Sequence, residues 1–263
     1  MSPGESSRAR LPGTRPAGTH DAAAASREVR DMFSRIAPRY DLLNHLLSMR
    51  FDVMWRKRLA RRFGSILERP DARILDLCCG TGDLALALAN ALPSGVESEA
   101  LRLVGADFAH PMLVRAQEKV RPSRGRPIQF VEADALSLPF ADATFDLVAT
   151  AFGFRNLANY AEGLRELRRV LKAGGSLAIL EFAEPRGALF RGLFHFYFHR
   201  VLPAIGAAVS GNPSAYTYLP TSVSRFPLPS QLSKLMEESG FSEVAFESWT
   251  GGIVTLHTGQ ARF

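Results

Sequence analysis

The sequence predicts an α/β fold, a mostly parallel seven-stranded sheet with helices on both faces, and three observations predict it. Short apolar runs alternate with stretches of helical periodicity, the order in which crossover helices connect parallel strands. One run, Ile74-Leu75-Asp76-Leu77, breaks into Cys78-Cys79-Gly80-Thr81-Gly82-Asp83, which reads as strand, tight turn and helix start. Three further strand ends carry polar groups: Asp107, Glu132 with Asp134, and Arg155-Asn156. Open parallel sheets bind ligands at that edge, where helix N-termini and free backbone N–H groups collect.

Residues Met1 to Ala25 are rich in Pro, Gly, Ser, Ala and Arg and poor in large apolar side chains, so they read as a disordered tail. From Ser26 to Gly64 apolar residues recur at helical spacing (Val29, Phe33, Ile36; Leu42, Leu43, Leu46, Leu47; Phe51, Met54, Trp55, Leu59), predicting several short helices with a break at Pro38. Trp55-Arg56-Lys57-Arg58 ends that region in a basic cluster, read as a solvated face. Ile74 to Leu77 is the first strand and Leu84 to Leu92 a helix; Leu101 to Ala106 is the second strand and Pro111 to Val120 the next helix. Ile128 to Val131 and Phe145 to Phe152 are strands three and four. Asn159 to Lys172 is an amphipathic helix stopped by Gly174-Gly175, and Ser176 to Phe182 is strand five. Leu189 to Leu202 is aromatic and interrupted by Arg191, His195, His199 and Arg200, which suits a helix over the site or at a membrane interface. It belongs to an insertion, residues 186–225, placed between strand five and the last helix. Pro229 to Ser239 is that helix, and Val244 to Glu247 with Ile253 to Thr258 form a closing hairpin.

With 263 residues, 46% hydrophobic and 22% charged, the chain has room for one sizeable domain, from residue 26 onward. Its net charge of +6 favours an acidic partner, either nucleic acid or an anionic membrane surface. The two cysteines are adjacent, which suits neither a disulfide framework nor a zinc site and points to a reducing cytoplasm. No secretory signal and no apolar span of about 20 residues occurs.

Glycines at positions 80 and 82 let backbone approach a ligand, while Asp76 and Thr81 add an acceptor and a hydroxyl. An acid ending the second strand, Asp107, stands where a nucleotide-binding unit grips ribose hydroxyls. Asp134 with the small Ala135 suits the edge of an adenine ring, so the three strand ends together suit an adenosine ligand. Gly80-Thr81-Gly82 with Ala85 also fits a relaxed dinucleotide fingerprint, which would make the chain a nicotinamide-dependent oxidoreductase. Asp76 ahead of the glycines argues against that reading. An RNA-binding module would use the basic surface, but no arginine-rich or aromatic RNA motif accompanies it.

Asp76 to Asp83, Asp107, Asp134-Ala135 and the final hairpin together resemble the class I S-adenosylmethionine-dependent methyltransferases. Phe33-Ser34-Arg35-Ile36-Ala37-Pro38-Arg39-Tyr40-Asp41-Leu42-Leu43-Asn44, Leu47-Ser48, Trp55-Arg56, Phe152-Gly153-Phe154-Arg155-Asn156, Ser222 to Pro227 and Thr250-Gly251-Gly252 are similar to the ubiquinone/menaquinone biosynthesis C-methyltransferase family. The departures are Arg50 where that family usually has glycine, Ala173 for a frequent proline, Ala151 for a frequent serine and Thr221 for a frequent glutamate. The resemblance implies a Rossmann-like fold with an antiparallel last strand, and methyl transfer from S-adenosylmethionine to a ring carbon of a polyprenyl quinol. Demethylmenaquinol is the favoured substrate and a benzoquinol the alternative. It implies that Gly80, Thr81 and Gly82 hold the methionine end, Asp107 the ribose and Asp134 with Ala135 the adenine, with no metal. Arg155 is then the candidate stabiliser of the substrate oxyanion, with Asn156 and Tyr40 as hydrogen-bonding partners. The partners implied are the quinol and the inner face of an anionic cytoplasmic membrane, touched peripherally, with a second copy of the chain as a candidate and no nucleic acid.

Overall fold

A computed structural model describes residues 13–14, 16, 18–19, 21–41, 48, 50–92, 102–120, 128–185, 187, 192, 200 and 214–262. The chain opens with α1 (Ala22–Ile36), whose Asp21 cap accepts the Ala24 N–H at 2.6 Å. A 3-10 turn over Ala37–Arg39 carries Pro38, as expected of a residue that cannot continue a helix. Then follow α2 (Phe51–Arg62) and α3 (Gly64–Leu67). The remaining elements alternate: β1 (Ile74–Leu77), α4 (Asp83–Ala91), β2 (Leu103–Asp107), α5 (His110–Val120), β3 (Ile128–Glu132), β4 (Phe145–Ala151), α6 (Tyr160–Val170) and β5 (Leu171–Phe182). Two helices, α7 (Ser214–Arg225) and α8 (Pro229–Glu238), precede β6 (Phe241–Trp249) and β7 (Val254–Ala261).

The seven strands form one sheet in the order β3-β2-β1-β4-β5-β7-β6. β1 to β5 pair in parallel, while β7 runs antiparallel between β5 and β6, as the last strand was expected to do. Every residue of β1 is buried, as a central strand covered on both faces must be. Its alternation feeds two cores. Leu75 and Leu77 join Leu164, Leu167, Leu232 and Met236 of α6 and α8, while Ile74 joins Leu59, Leu84 and Leu88 of α2 and α4. The strand order reverses direction at β1 and β4, so the loops leaving those two strands open a crevice at the carboxyl edge.

Several details differ from the sequence reading, among them the ends of the closing hairpin, whose strands run Phe241–Trp249 and Val254–Ala261. Ala22 to Ala25, assigned to the tail by composition, are the first turn of α1, with Ala25 buried. Within the same tail, Thr14 is buried and its N–H donates to the Leu157 carbonyl at 2.8 Å. The helix expected over Asn159 to Lys172 ends at Val170: Asn159 is its cap, accepting the Glu162 N–H, and Leu171 turns extended to pair with Phe145. Sheet pairing there outcompetes helix continuation, and β5 starts ahead of Gly174-Gly175. The aromatic segment Leu189 to Leu202 lies outside the described residues except for Gly192 and Arg200.

Candidate active site

β1 ends at Leu77 and the chain reverses through Cys78, Cys79 and Gly80 into α4. Cys78 (φ 53°), Gly80 (φ 54°) and Gly82 (φ 82°) all take the left-handed backbone. At Gly82 a Cβ would also meet the Ala116 methyl at 3.2 Å and the Phe130 ring at 3.3 Å, so glycine is required there twice over. The loop after β4 packs against this turn, since a Cβ on Gly153 would lie 2.3 Å from the Cβ of Cys78. Between the two loops lies a cleft of about 890 Å³, solvent at its mouth included, within the about 300–1,000 Å³ of small-molecule sites.

Of the residues expected at the site, Tyr40, Gly80, Thr81, Asp107, Asp134, Ala135 and Asn156 all line this cleft. Asp107 ends β2; its Oδ2 accepts the Gly80 N–H and its Oδ1 the Ala109 N–H, each at 2.9 Å. Burial raises its pKa to about 6, against the partial relief those amides supply. An ionised carboxylate has about four acceptor positions, so two ligand hydroxyls still fit. Asp134 follows β3 and its Oδ1 accepts the Leu136 N–H at 2.9 Å, holding the Asp134–Ala135 corner at the wall of the cleft.

Arg155 is placed differently. It is 5% exposed and does not line the cleft. Its Nη1 donates to Glu181 Oε2 at 3.0 Å and to the Phe152 carbonyl, and its backbone N–H donates to Glu181 Oε1 at 3.0 Å. Burial pulls its pKa down, and the Glu181 carboxylate more than restores it, so the guanidinium stays charged. Arg155 therefore secures the Phe152–Asn156 loop from behind, while Asn156, its neighbour, faces the cleft. The pattern Phe152 to Asn156 signals this loop in the sequence, but no local signal identifies its buried partner on β5.

Sequence reasoning left out three features. Asp76, noted only as an acceptor, lines the cleft at 1% exposure with neither carboxylate oxygen hydrogen-bonded in good geometry. Burial holds its pKa well above the usual range, with the Ala85 amide and the Arg56 charge offsetting only part of that cost. Arg56, assigned to a solvated basic face, is 7% exposed, lines the cleft and pairs with Asp52, with Asp83 at 3.7 Å. Its guanidinium sits 5.5 Å from the centre of the Phe152 ring. Lys119 forms the third feature, with Nζ 2.7 Å from Asp41 Oδ2, 2.7 Å from Asp83 Oδ1 and 3.1 Å from Thr81 Oγ1. Thr81 in turn donates to Asp41, so the N-terminal helices are tied to the glycine loop.

Cys78 and Cys79 are free thiols; burial, with the Asp107 and Asp76 charges adding, pushes both well above the ordinary thiol range, which removes them as nucleophiles. Among the described residues no cluster of His, Cys, Asp or Glu could hold a metal ion.

Comparison with known proteins agrees with this layout. The chain is 51% identical to a demethylmenaquinone methyltransferase of Thermus thermophilus, over 87% of its own length and 99% of that protein. It is 43% identical to a ubiquinone/menaquinone biosynthesis C-methyltransferase of Geotalea uraniireducens, over 89% and 96% of the two chains. A crystal structure of a SAM-dependent methyltransferase from Thermotoga maritima superposes with a TM-score of 0.61 at 17% identity, covering 89% of this chain and all of that one, which establishes the fold. The model of the ubiE/COQ5 methyltransferase family matches residues 21–261, and the chain belongs to that family.

Proposed function

We propose that the protein methylates a ring carbon of a polyprenyl quinol from S-adenosylmethionine, with demethylmenaquinol as substrate and menaquinol as product. The observation that carries this reading is Asp76, a buried carboxylate in the cleft whose oxygens have no hydrogen-bond partner in good geometry. A buried acid compensated only in part calls for a cation, and the ligand it suits has an ammonium beside a sulfonium. The cleft fits such a group: Asp76 and the glycine turn suit its methionine end, Asp107 retains acceptor capacity for ribose hydroxyls, and Asp134-Ala135 suits an adenine edge. The names of the similar proteins support the same reaction class, and membership of a methyltransferase family leaves the nicotinamide alternative without support.

When bound, S-adenosylmethionine supplies a methyl group on a sulfonium, a strong electrophile that needs no acid from the protein. The chain's task is to align the ring carbon, exclude water and stabilise the ring oxygen as it gains negative charge. A phenolic group has an ordinary pKa of about 10, so that oxygen needs hydrogen-bond donors at neutral pH. Asn156 and Tyr40 are the donors at the cleft, and Arg155 acts through the loop it secures. Phe33, Phe108, Met112 and Phe152 give the cleft apolar walls that keep water from the sulfonium.

A long-tailed substrate that resides in the bilayer supports a site of action at the inner face of the cytoplasmic membrane. No helix among the described residues is long and apolar enough to cross a bilayer. On α2, Phe51 is 40% and Met54 48% exposed beside the exposed cations Arg50, Lys57 and Arg61, a face suited to shallow, salt-sensitive contact with anionic lipid. A second copy of the chain remains a candidate partner that sedimentation would settle. The reaction is tested by incubating the protein with S-adenosylmethionine and either demethylmenaquinol or a benzoquinol, each in anionic liposomes, and reading the product by mass. A gain of one methyl on the naphthoquinol carbon is expected; transfer only to the benzoquinol, or to neither, overturns the assignment.

A further inference from the structure

The segment ahead of α1 reaches the cleft. Thr14 donates its N–H to the Leu157 carbonyl at 2.8 Å, and Gly13 lies so close to the same strand of chain that a Cβ there would sit 2.2 Å from the Ala158 carbonyl carbon. Leu157 and Ala158 both line the cleft. Only glycine permits that approach, so the contact is built for this segment. It also lies ahead of the residues the family model matches, 21–261.

From this seat the Thr14 Oγ1 lies 3.0 Å from the hydroxyl of Tyr218 on α7, and Tyr218 in turn donates to Asn156 Oδ1 at 3.0 Å. A phenol has one proton. Because Tyr218 gives it to Asn156, the Thr14 hydroxyl must be the donor in the first bond. With Oδ1 engaged, the Nδ2 group, which makes no hydrogen bond among the described residues, is the free end of Asn156 at the cleft.

We propose that Thr14 and Tyr218 are positioning residues that orient the Asn156 carboxamide, so that the cleft presents an N–H donor and selects a substrate oxygen bearing negative charge. The opposite orientation would present a carbonyl, which repels such an oxygen. The inference rests on the quinol reading above and deepens it: the segment before α1 completes the active site by fixing which end of one side chain the substrate meets.

The test uses the full chain with Tyr218→Phe, Thr14→Val and Thr14→Ser, a short-chain demethylated naphthoquinol and S-adenosylmethionine, with binding of the latter measured by calorimetry. Tyr218→Phe is expected to lower kcat about tenfold, a fraction of the about 10²- to 10³-fold cost of deleting an oxyanion donor outright. KM for the quinol and affinity for S-adenosylmethionine should stay within about twofold, because the lost term acts on the charge developed in the transition state. Thr14→Val should lower kcat in the same direction by a smaller factor, and Thr14→Ser should restore it. Unchanged kcat in Tyr218→Phe overturns the proposal, as does a parallel loss of S-adenosylmethionine affinity, which would mean general disorder of the cleft. A wild-type protein that binds S-adenosylmethionine but methylates neither quinol class overturns the functional reading itself and the inference with it.

Discussion

Arg155 and Glu181 form a closed ion pair, Nη1 to Oε2 at 3.0 Å, behind the loop that carries Asn156. Neither side chain is reached by solvent to any extent, so each is the other's main electrostatic compensation. Removing one partner strands a buried charge and is expected to cost about 3–5 kcal/mol, whereas removing both should cost far less. Unfolding of Arg155→Met, Glu181→Met and the double substitution checks this. A double variant no more stable than the singles would show that the two charges serve different partners.

Asp107 makes cofactor affinity depend on pH. Its free-enzyme pKa is about 6, and ligand hydroxyls donate to the ionised form, so binding favours deprotonation. Affinity for S-adenosylmethionine should therefore be flat in Asp107 above pH 6 and fall about tenfold per pH unit below it. Asp107→Asn should abolish that limb and weaken binding by about 1.5–3 kcal/mol at pH 7, the scale of hydrogen bonds to a charged group. A limb that persists in the variant belongs to another acid.

Lys119 couples the N-terminal helices to the glycine loop through Asp41, Asp83 and Thr81. Lys119→Met leaves Asp41 without this cation and Asp83 with only the more distant Arg56, so it should weaken S-adenosylmethionine binding severalfold and lower stability by about 1 kcal/mol, these groups being partly solvated. Lys119→Arg should recover most of both. Calorimetric affinity identical to wild type in Lys119→Met would reduce the network to a surface ion pair.

His257 on β7 is buried, with Nε2 2.9 Å from the Pro229 carbonyl and Nδ1 unpartnered, and burial lowers its pKa to about 4. The unfolded chain, at the ordinary 6.5, binds the proton more readily. Stability from this residue is thus whole above pH 6.5 and is lost as pH falls toward 4, by about 3 kcal/mol at about 1.4 kcal/mol per pH unit. Denaturant unfolding between pH 7 and pH 4, compared with His257→Gln, measures the share. Equal acid sensitivity in both proteins would remove His257 as the cause.

Arg50 enters α2 at φ 63°, the left-handed region, where the resembled family usually has glycine. That conformation costs a side-chain-bearing residue about 1–2 kcal/mol, while glycine gives back about 0.4–1 kcal/mol in unfolded-state entropy. Arg50→Gly should leave stability unchanged or raise it by up to about 1 kcal/mol. A clear loss would mean that the arginine side chain makes a contact worth more than the strain.

The strands, their mostly parallel pairing and the crevice were legible because each central strand is a short apolar run and each carries its polar residue at the same end; their order in the sheet was not. Gly80, Asp107 and Asp134 declared themselves by that position alone. Arg56 did not, because a cation in a run of cations reads as solvated; Asp52, one helical turn before it, was a local signal passed over, while only the fold brings Phe152 against it. Glu181 was hidden for the same reason: an acid at the end of an apolar strand has no local partner, and Arg155 reaches it from 26 residues away in the chain. Thr14 was invisible in a stretch whose composition suggests no structure, since one buried threonine leaves no periodic trace.

The position of β7 has a consequence for how the enzyme is made. It is the last of the seven strands in chain order, yet it lies between β5 and β6 and pairs with both. Until it appears, β5 presents an open edge to the cell and β6 has no neighbour, so the nascent chain passes through a stage exposed to wrong strand pairing. Thr255 pairs across from Glu181, so the same late strand closes the wall behind the acid that holds Arg155. The wall behind Glu181 is therefore complete only once Val254–Ala261 has paired with β5.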